Sequence, residues 1–218
     1  MGTPEIALGI CEFVVLLFAL SLHESAHGWM ASRLGDQTAR MLGRITLNPI
    51  KHIDPVGTIM LPLVAMVTHI PLIGWAKPTP VITRNFRKIV RDDTLTTLAG
   101  PVSNLVLAFL GFIGLVAIIL VQGNLPPGQS LQTNVDALGL LCELAINVNL
   151  ALFFFNLLPL PPLDGSRILR HFLPYNALNL YDRMGILSFV LMIFIGGPIV
   201  RFLMAPTLGL VRLALHSL

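Results

Sequence analysis

Apolar residues run along this chain in long blocks, and the blocks set its elements. The first extends from about Ile6 to Met30, with Glu12 near one end and Glu24 near the other as its only charges. A polar stretch follows from Arg33 to Asp54, punctuated by the turn signals Gly35-Asp36, Asn48-Pro49 and Asp54-Pro55. Val56–Trp75 is apolar again, though broken by Pro62, Pro71 and Gly74, and Lys77–Asp93 is polar and basic. Leu95–Val121 is a second long span, and Gln122–Asp136 is a Gly/Pro/Asn loop. Leu138–Leu158 is a third span, stopped by Pro159, Pro161 and Pro162. Beyond Asp164 the chain is basic, and a last apolar region, Met184 to about Leu215, is interrupted by Gly196, Gly197, Pro198, Arg201 and Pro206. A bilayer crossing takes roughly 20 apolar residues. The pattern therefore predicts an all-α polytopic membrane protein of about four to six transmembrane helices, built as a single membrane-embedded domain over residues 1–218.

Composition agrees. The chain is 55% hydrophobic and 11% charged, with a mean hydropathy of +0.80, whereas a soluble domain carries roughly a quarter charged residues. A net charge of +3 and a pI near 9.2 raise the question of nucleic acid. The placement of the basic residues answers it: they sit in loops beside apolar segments, so the expected partner is the lipid bilayer and no nucleic acid is expected. Lys and Arg gather in Arg33–Lys51, Lys77–Arg91 and Arg167–Arg183, and are missing from the first ten residues and from Gln122–Asp136. The basic segments are expected inside and the others outside, in the cell membrane. Val56–Trp75 has basic flanks on both sides, which favours a re-entrant hairpin dipping from the cytoplasmic face over a short tilted helix. Without a basic leader, the first apolar run is expected to stay in the mature protein. Cys11 and Cys142 lie inside apolar runs and read as small buried hydrophobes.

One motif changes the picture from composition to chemistry. His23-Glu24-Ser25-Ala26-His27 matches H-E-x-x-H, and residues four apart share a helix face, so both imidazoles can reach one ion. Glu24 points about 100° round the helix, where a base can take a proton from metal-bound water. By itself the motif is weak, since it also arises by chance. Here it lies in the last third of a membrane span, where ionisable groups cost about 2.5–3.5 kcal/mol each and are functional by default. A catalytic zinc site wants three protein ligands and an open position. His52, His69 and His216 sit near apparent interfaces and His171 in a basic loop, where solvated histidines are the plain reading. Asp164, delivered by Asn156-Leu-Leu-Pro-Leu-Pro-Pro-Leu-Asp164-Gly165, reads either as a ligand or as an Asp-Gly turn or helix cap.

His23–His27 together with Asn156-x-x-Pro-x-x-x-Leu-Asp164-Gly165 resembles the site-2 protease family of intramembrane zinc metallopeptidases. Ala99-Gly100-Pro101 with Asn104, Asn48-Pro49 and Gly74-Trp75-Ala76-Lys77-Pro78 are similar to its compact members, without a PDZ or CBS domain. The resemblance implies that His23, His27 and Asp164 hold one Zn2+ per chain and that Glu24 activates water. It also implies that the substrate is a transmembrane protein or peptide cut within the membrane, with the site toward the cytoplasmic side. It favours Asn156 as a substrate-positioning residue, interhelical glue being the alternative; Asn104, Asn147 and Asn149 read as such glue. Trp75–Val81 is a candidate edge strand for an unwound substrate, with Pro78 and Pro80 leaving alternate residues free to pair. A non-catalytic metal-binding membrane protein or a transporter is the rival reading, although no inverted repeat or polar path is visible.

Overall fold

The computed structural model describes residues 3–68, 75–123 and 130–216. The expectations placed on His69, Pro71 and Gly74, and on residues 124–129 of the loop between the second and third spans, fall outside them. Nine α-helices are described: α1 (Thr3–Leu34), α2 (Thr38–Met41), α3 (Leu61–Thr68), α4 (Ile89–Gln122), α5 (Ser130–Asn156), α6 (Asp164–Arg170), α7 (Tyr175–Asp182), α8 (Gly185–Leu191) and α9 (Gly197–His216). No strand occurs among the described residues. Glu5–Leu34, Ile89–Gln122, Asn134–Asn156 and Phe194–Leu215 are long and apolar enough to cross a membrane. The protein is thus all-α and polytopic, with four candidate spans. Phe109, Phe194 and Phe202 are 61–79% exposed on them, as side chains solvated by lipid would be.

Helix α4 starts six residues earlier than the apolar block. The Asp92 carboxylate accepts the Lys88 N–H at 2.8 Å and satisfies a helix-start donor, so Asp92 and Asp93 are helical and buried. Hydropathy marks where lipid begins; the helix continues to its cap. Helix α5 stops at Asn156, ahead of the three prolines. Small residues let α4 and α5 approach closely: a Cβ on Gly111 would lie 3.2 Å from the Cys142 carbonyl, and one on Gly114 3.0 Å from its Sγ. Leu16 and Leu20 of α1 pack with Ala76, Val148 and Leu152, and Ala108, Leu115, Ile146, Leu150, Val200 and Met204 form the core between α4, α5 and α9.

The segment after the first span is a hairpin. Asp54 Oδ1 caps a π-helical turn, Pro55–Met60, by accepting from Val56 N–H and Gly57 N–H at 3.0 and 2.8 Å. The chain runs into α3 and is back beside its own start at Trp75, whose N–H donates to the Gly57 carbonyl at 3.2 Å. The Thr58 hydroxyl donates to the Trp75 carbonyl at 2.7 Å. The indole lies over Gly57, where a Cβ would fall 2.4 Å from the ring. Gly57 and Trp75 thus lie side by side, the arrangement a re-entrant hairpin requires.

Trp75–Val81 differs from the edge expected of it. It is extended but joins no ladder, and its alternate N–H groups are already used: Trp75 on Gly57, Lys77 on His52 at 2.9 Å and Thr79 on Glu24 at 2.6 Å. With prolines at 78 and 80, little donor capacity remains for a pairing chain. Asp36 fixes the other end of this strap. Gly35, at φ 123°, reverses the chain after α1. The fully buried Asp36 carboxylate then accepts from the Ile82 N–H at 2.7 Å, the Asn85 amide at 2.9 Å and the Thr38 hydroxyl at 2.5 Å. Burial works against its charge, but these donors outweigh burial and hold its pKa below the usual carboxylate value.

Replacing Asp36 strands buried donors, so Asp36→Ala is expected to cost at least about 2 kcal/mol in unfolding at neutral pH. A lowered folded-state pKa stabilises above the unfolded value of about 3.9 and is lost as pH falls through the folded one. Melting curves in detergent at a series of pH values should therefore show the gap between wild type and Asp36→Ala closing only below about pH 4.

Candidate metal centre

His23 and His27 lie one helical turn apart on α1 and are both buried. Asp164 opens α6, where Gly165 sits against the Leu157 backbone so closely that a Cβ would lie 2.2 Å from its carbonyl oxygen. The Asp-Gly pair is therefore a packing demand as well as a turn. Three atoms converge: His23 Nε2 and His27 Nε2 are 3.0 Å apart, and Asp164 Oδ2 is 3.2 and 3.3 Å from them. Ligands of a tetrahedral zinc at about 2.0–2.1 Å stand roughly 3.3 Å from one another, so the triangle fits that ion. The fold brings Asp164, the third ligand that the resemblance implies, to within reach of the same point as the two histidines.

The other ring nitrogens decide what the triangle presents. His27 Nδ1 is 2.8 Å from the Thr96 carbonyl, which can only accept, so Nδ1 carries the proton. His23 Nδ1 is 2.6 Å from Asn104 Oδ1. Asn104 donates its amide to Asn149 Oδ1 at 2.9 Å, and Asn149 donates to the Ala145 carbonyl at 2.8 Å. This one-way chain sets Asn104 Oδ1 as acceptor and His23 Nδ1 as donor. Both Nε2 lone pairs then face a carboxylate oxygen that lacks a hydrogen-bond donor and is buried. Neutral nitrogens and an oxyanion at this spacing repel unless a proton or a metal ion lies between them. Two imidazoles and a carboxylate converging on one point are a donor set that fits zinc.

The surroundings are cut to the same shape. At Gly100 of α4 a Cβ would fall 2.4 Å from His27 Nε2 and 2.7 Å from His23 Cε1, so only bare backbone admits both rings. Glu24, half-buried beside the ligand face, accepts the Thr79 N–H on Oε2, while the Thr79 hydroxyl donates to the Glu24 carbonyl at 3.0 Å. Ser25 donates to the Thr46 carbonyl at 2.5 Å and accepts its N–H at 3.1 Å, folding the loop after α1 back onto the motif.

Asn156 is not part of the triangle; its amide donates to the Leu152 carbonyl of its own helix at 2.9 Å. Two histidines read as solvated are not. His52 is buried with Nε2 3.0 Å from the Thr46 carbonyl, and burial lowers its pKa. His171 pairs with Asp93 at 2.9 Å. Asn104 and Asn149 do bridge helices as expected, yet they also orient His23. A polar pair in two otherwise apolar spans was the available signal; which face each presents depends on the α4–α5 register.

Comparison with curated proteins gives the same chemistry. "Putative zinc metalloprotease YwhC" of Bacillus subtilis is 45% identical over 161 residues, covering 74% of this chain and 68% of that protein. "Putative zinc metalloprotease Rip2" of Mycolicibacterium smegmatis is 33% identical over 151 residues, and its namesake in Mycobacterium tuberculosis 33% over 150. Each Rip2 match covers 68% of this chain but only 52% of the relative, so the chain spans about half the length of those proteins. No family model and no solved structure matches. By its identity to YwhC across two thirds of that protein, the chain belongs to the site-2 protease-like family of zinc metalloproteases.

Proposed function

We propose that this chain is an intramembrane zinc metalloendopeptidase that hydrolyses peptide bonds in or near transmembrane segments of membrane proteins, with its site toward the cytoplasmic side of the cell membrane. The observation that carries the reading is the triangle of His23 Nε2, His27 Nε2 and Asp164 Oδ2 at 3.0–3.3 Å, both imidazoles already committed at Nδ1. His23, His27 and Asp164 would hold zinc there, which would supply Lewis acidity toward a water and a carbonyl. Glu24 is the general base: the Thr79 N–H holds Oε2 and leaves Oε1 to take a proton from the attacking water and return it to the departing amine nitrogen. Asn156, in the last turn of α5, is assigned to positioning the substrate backbone. The strap after the hairpin borders Glu24 through Thr79. A transporter needs a polar path through the bilayer; among the described residues of the spans, Ser21, Ser25, Asn104 and Asn149 are buried around the two histidines instead.

Three outcomes follow. Glu24→Gln should keep wild-type zinc content while cleavage of a transmembrane model substrate falls by about 10²-fold or more; near wild-type turnover would remove Glu24 as the base. Asp164→Ala should lose zinc affinity together with activity, because two imidazoles make an incomplete site; unchanged zinc stoichiometry and affinity would send the search for a third ligand elsewhere. For orientation, a single cysteine at Arg87, with Cys11 and Cys142 replaced by alanine, should react with an impermeant thiol reagent only after the cytoplasmic face is opened. Labelling of intact cells would invert the topology.

A further inference from the structure

We infer that Asp93 is a positioning residue for the metal centre: by gripping Arg167 and His171 it fixes α6, and with it Asp164, against the turn of α4 that orients His27. The inference rests on the proposed ligand set. Arg167 donates to Asp93 Oδ1 at 2.7 Å, and His171 Nε2 lies 2.9 Å from Oδ2, so both carboxylate oxygens are used by one short helix. Arg167 and His171 are four residues apart and present one face of α6 and its C-terminal cap. Asp93 is buried, its side chain 6% exposed, whereas those of Arg167 and His171 are 37% and 19% exposed.

Connectivity gives the contact its significance. Asp93 stands one helical turn before Thr96, whose carbonyl holds His27 Nδ1 at 2.8 Å. Arg167 stands one turn after Asp164. A closed circuit results: His27 to Thr96, one turn of α4 to Asp93, across to Arg167, one turn of α6 to Asp164, and 3.3 Å back to His27. Helix α6 needs such a tie. It has seven residues, no side-chain cap at its start, and follows a proline-rich turn. Gly165 against Leu157 and the Tyr181 hydroxyl on the Pro159 carbonyl at 2.8 Å anchor it and its approach toward α5 and α7. The Asp93 clamp ties it to α4, which carries the other constraints on the histidines. A half-exposed ion pair adds little net stability, but the planar Arg167 guanidinium and the His171 ring each meet one oxygen of a single buried carboxylate, which fixes their relative positions. At a ligand triangle that tolerates tenths of an ångström, geometry is what the clamp contributes.

The test is zinc affinity of the purified full chain in nanodiscs, measured by chelator competition, alongside thermal unfolding of the zinc-free protein. Asp93→Ala should raise the zinc Kd about tenfold or more, the range for partners that orient ligands from behind. The double variant Arg167→Met with His171→Asn should match it. Arg167→Lys, which keeps the charge but loses the planar fork, should fall between. A merely structural clamp would lower the melting point of the zinc-free protein and leave the Kd of the folded protein within twofold of wild type; that result overturns the inference. Should Asp93→Ala fail to fold, the double variant decides, since both of its side chains are partly exposed. Asp164→Ala in the same assay separates the two levels. If it keeps wild-type affinity, the ligand set is wrong and the inference goes with it; if it loses zinc while the clamp variants do not, the positioning role alone is refuted.

Discussion

Two imidazole lone pairs and a carboxylate oxygen are held 3.0–3.3 Å apart among membrane helices, and the rest of the structure is arranged around keeping them there. Left alone they would repel, rotate away or take up protons. Rotation is closed to them: each ring is pinned at Nδ1, bare backbone at Gly100 backs both rings, and Gly165 lets Asp164 approach. In hydrocarbon, where water cannot substitute for a lost partner, such restraints are the condition for placing the groups at all. The folding problem and the chemical problem are therefore the same problem, and a cation solves both.

The loops serve the same centre from the outside. Ser25 binds the loop after α1, Asp36 binds the far end of the strap, and the hairpin closes on itself at Gly57 and Trp75. Between those fixed points Thr79 reaches Glu24. A carboxylate held by one oxygen keeps the other in a defined direction, as the base role proposed for Glu24 requires. The strap's alternate N–H groups are spent on Gly57, His52 and Glu24, which is why it is a poor edge for a pairing chain despite its extended backbone.

Much of this was legible in the sequence, and the parts that were not share a cause. Spans could be read because lipid imposes long apolar blocks, and the hairpin because basic residues flank both of its ends. His23, Glu24 and His27 could be read because one helix fixes their spacing. Asp164 is 137 residues beyond His27 in the chain, and residue chemistry alone favours a turn or cap residue over a ligand; the resemblance of its motif reverses that. What escaped depends on registers between elements far apart in sequence: Asn104 on His23, Thr79 on Glu24, Asp93 on Arg167 and His171. Hydropathy placed Asp92 and Asp93 in a loop, since it detects the membrane boundary and not the helix cap. One signal was present: two adjacent acids inside a basic segment run against the local charge and call for specific partners.

The most direct test of the central claim is X-ray absorption at the zinc edge on purified, catalytically active protein. The account predicts one zinc per chain with two imidazoles and otherwise nitrogen or oxygen donors at about 2.0–2.2 Å, and loss of that signature in Asp164→Ala. Thiolate scattering at about 2.3 Å, a shell without imidazole, or active protein free of metal would contradict it.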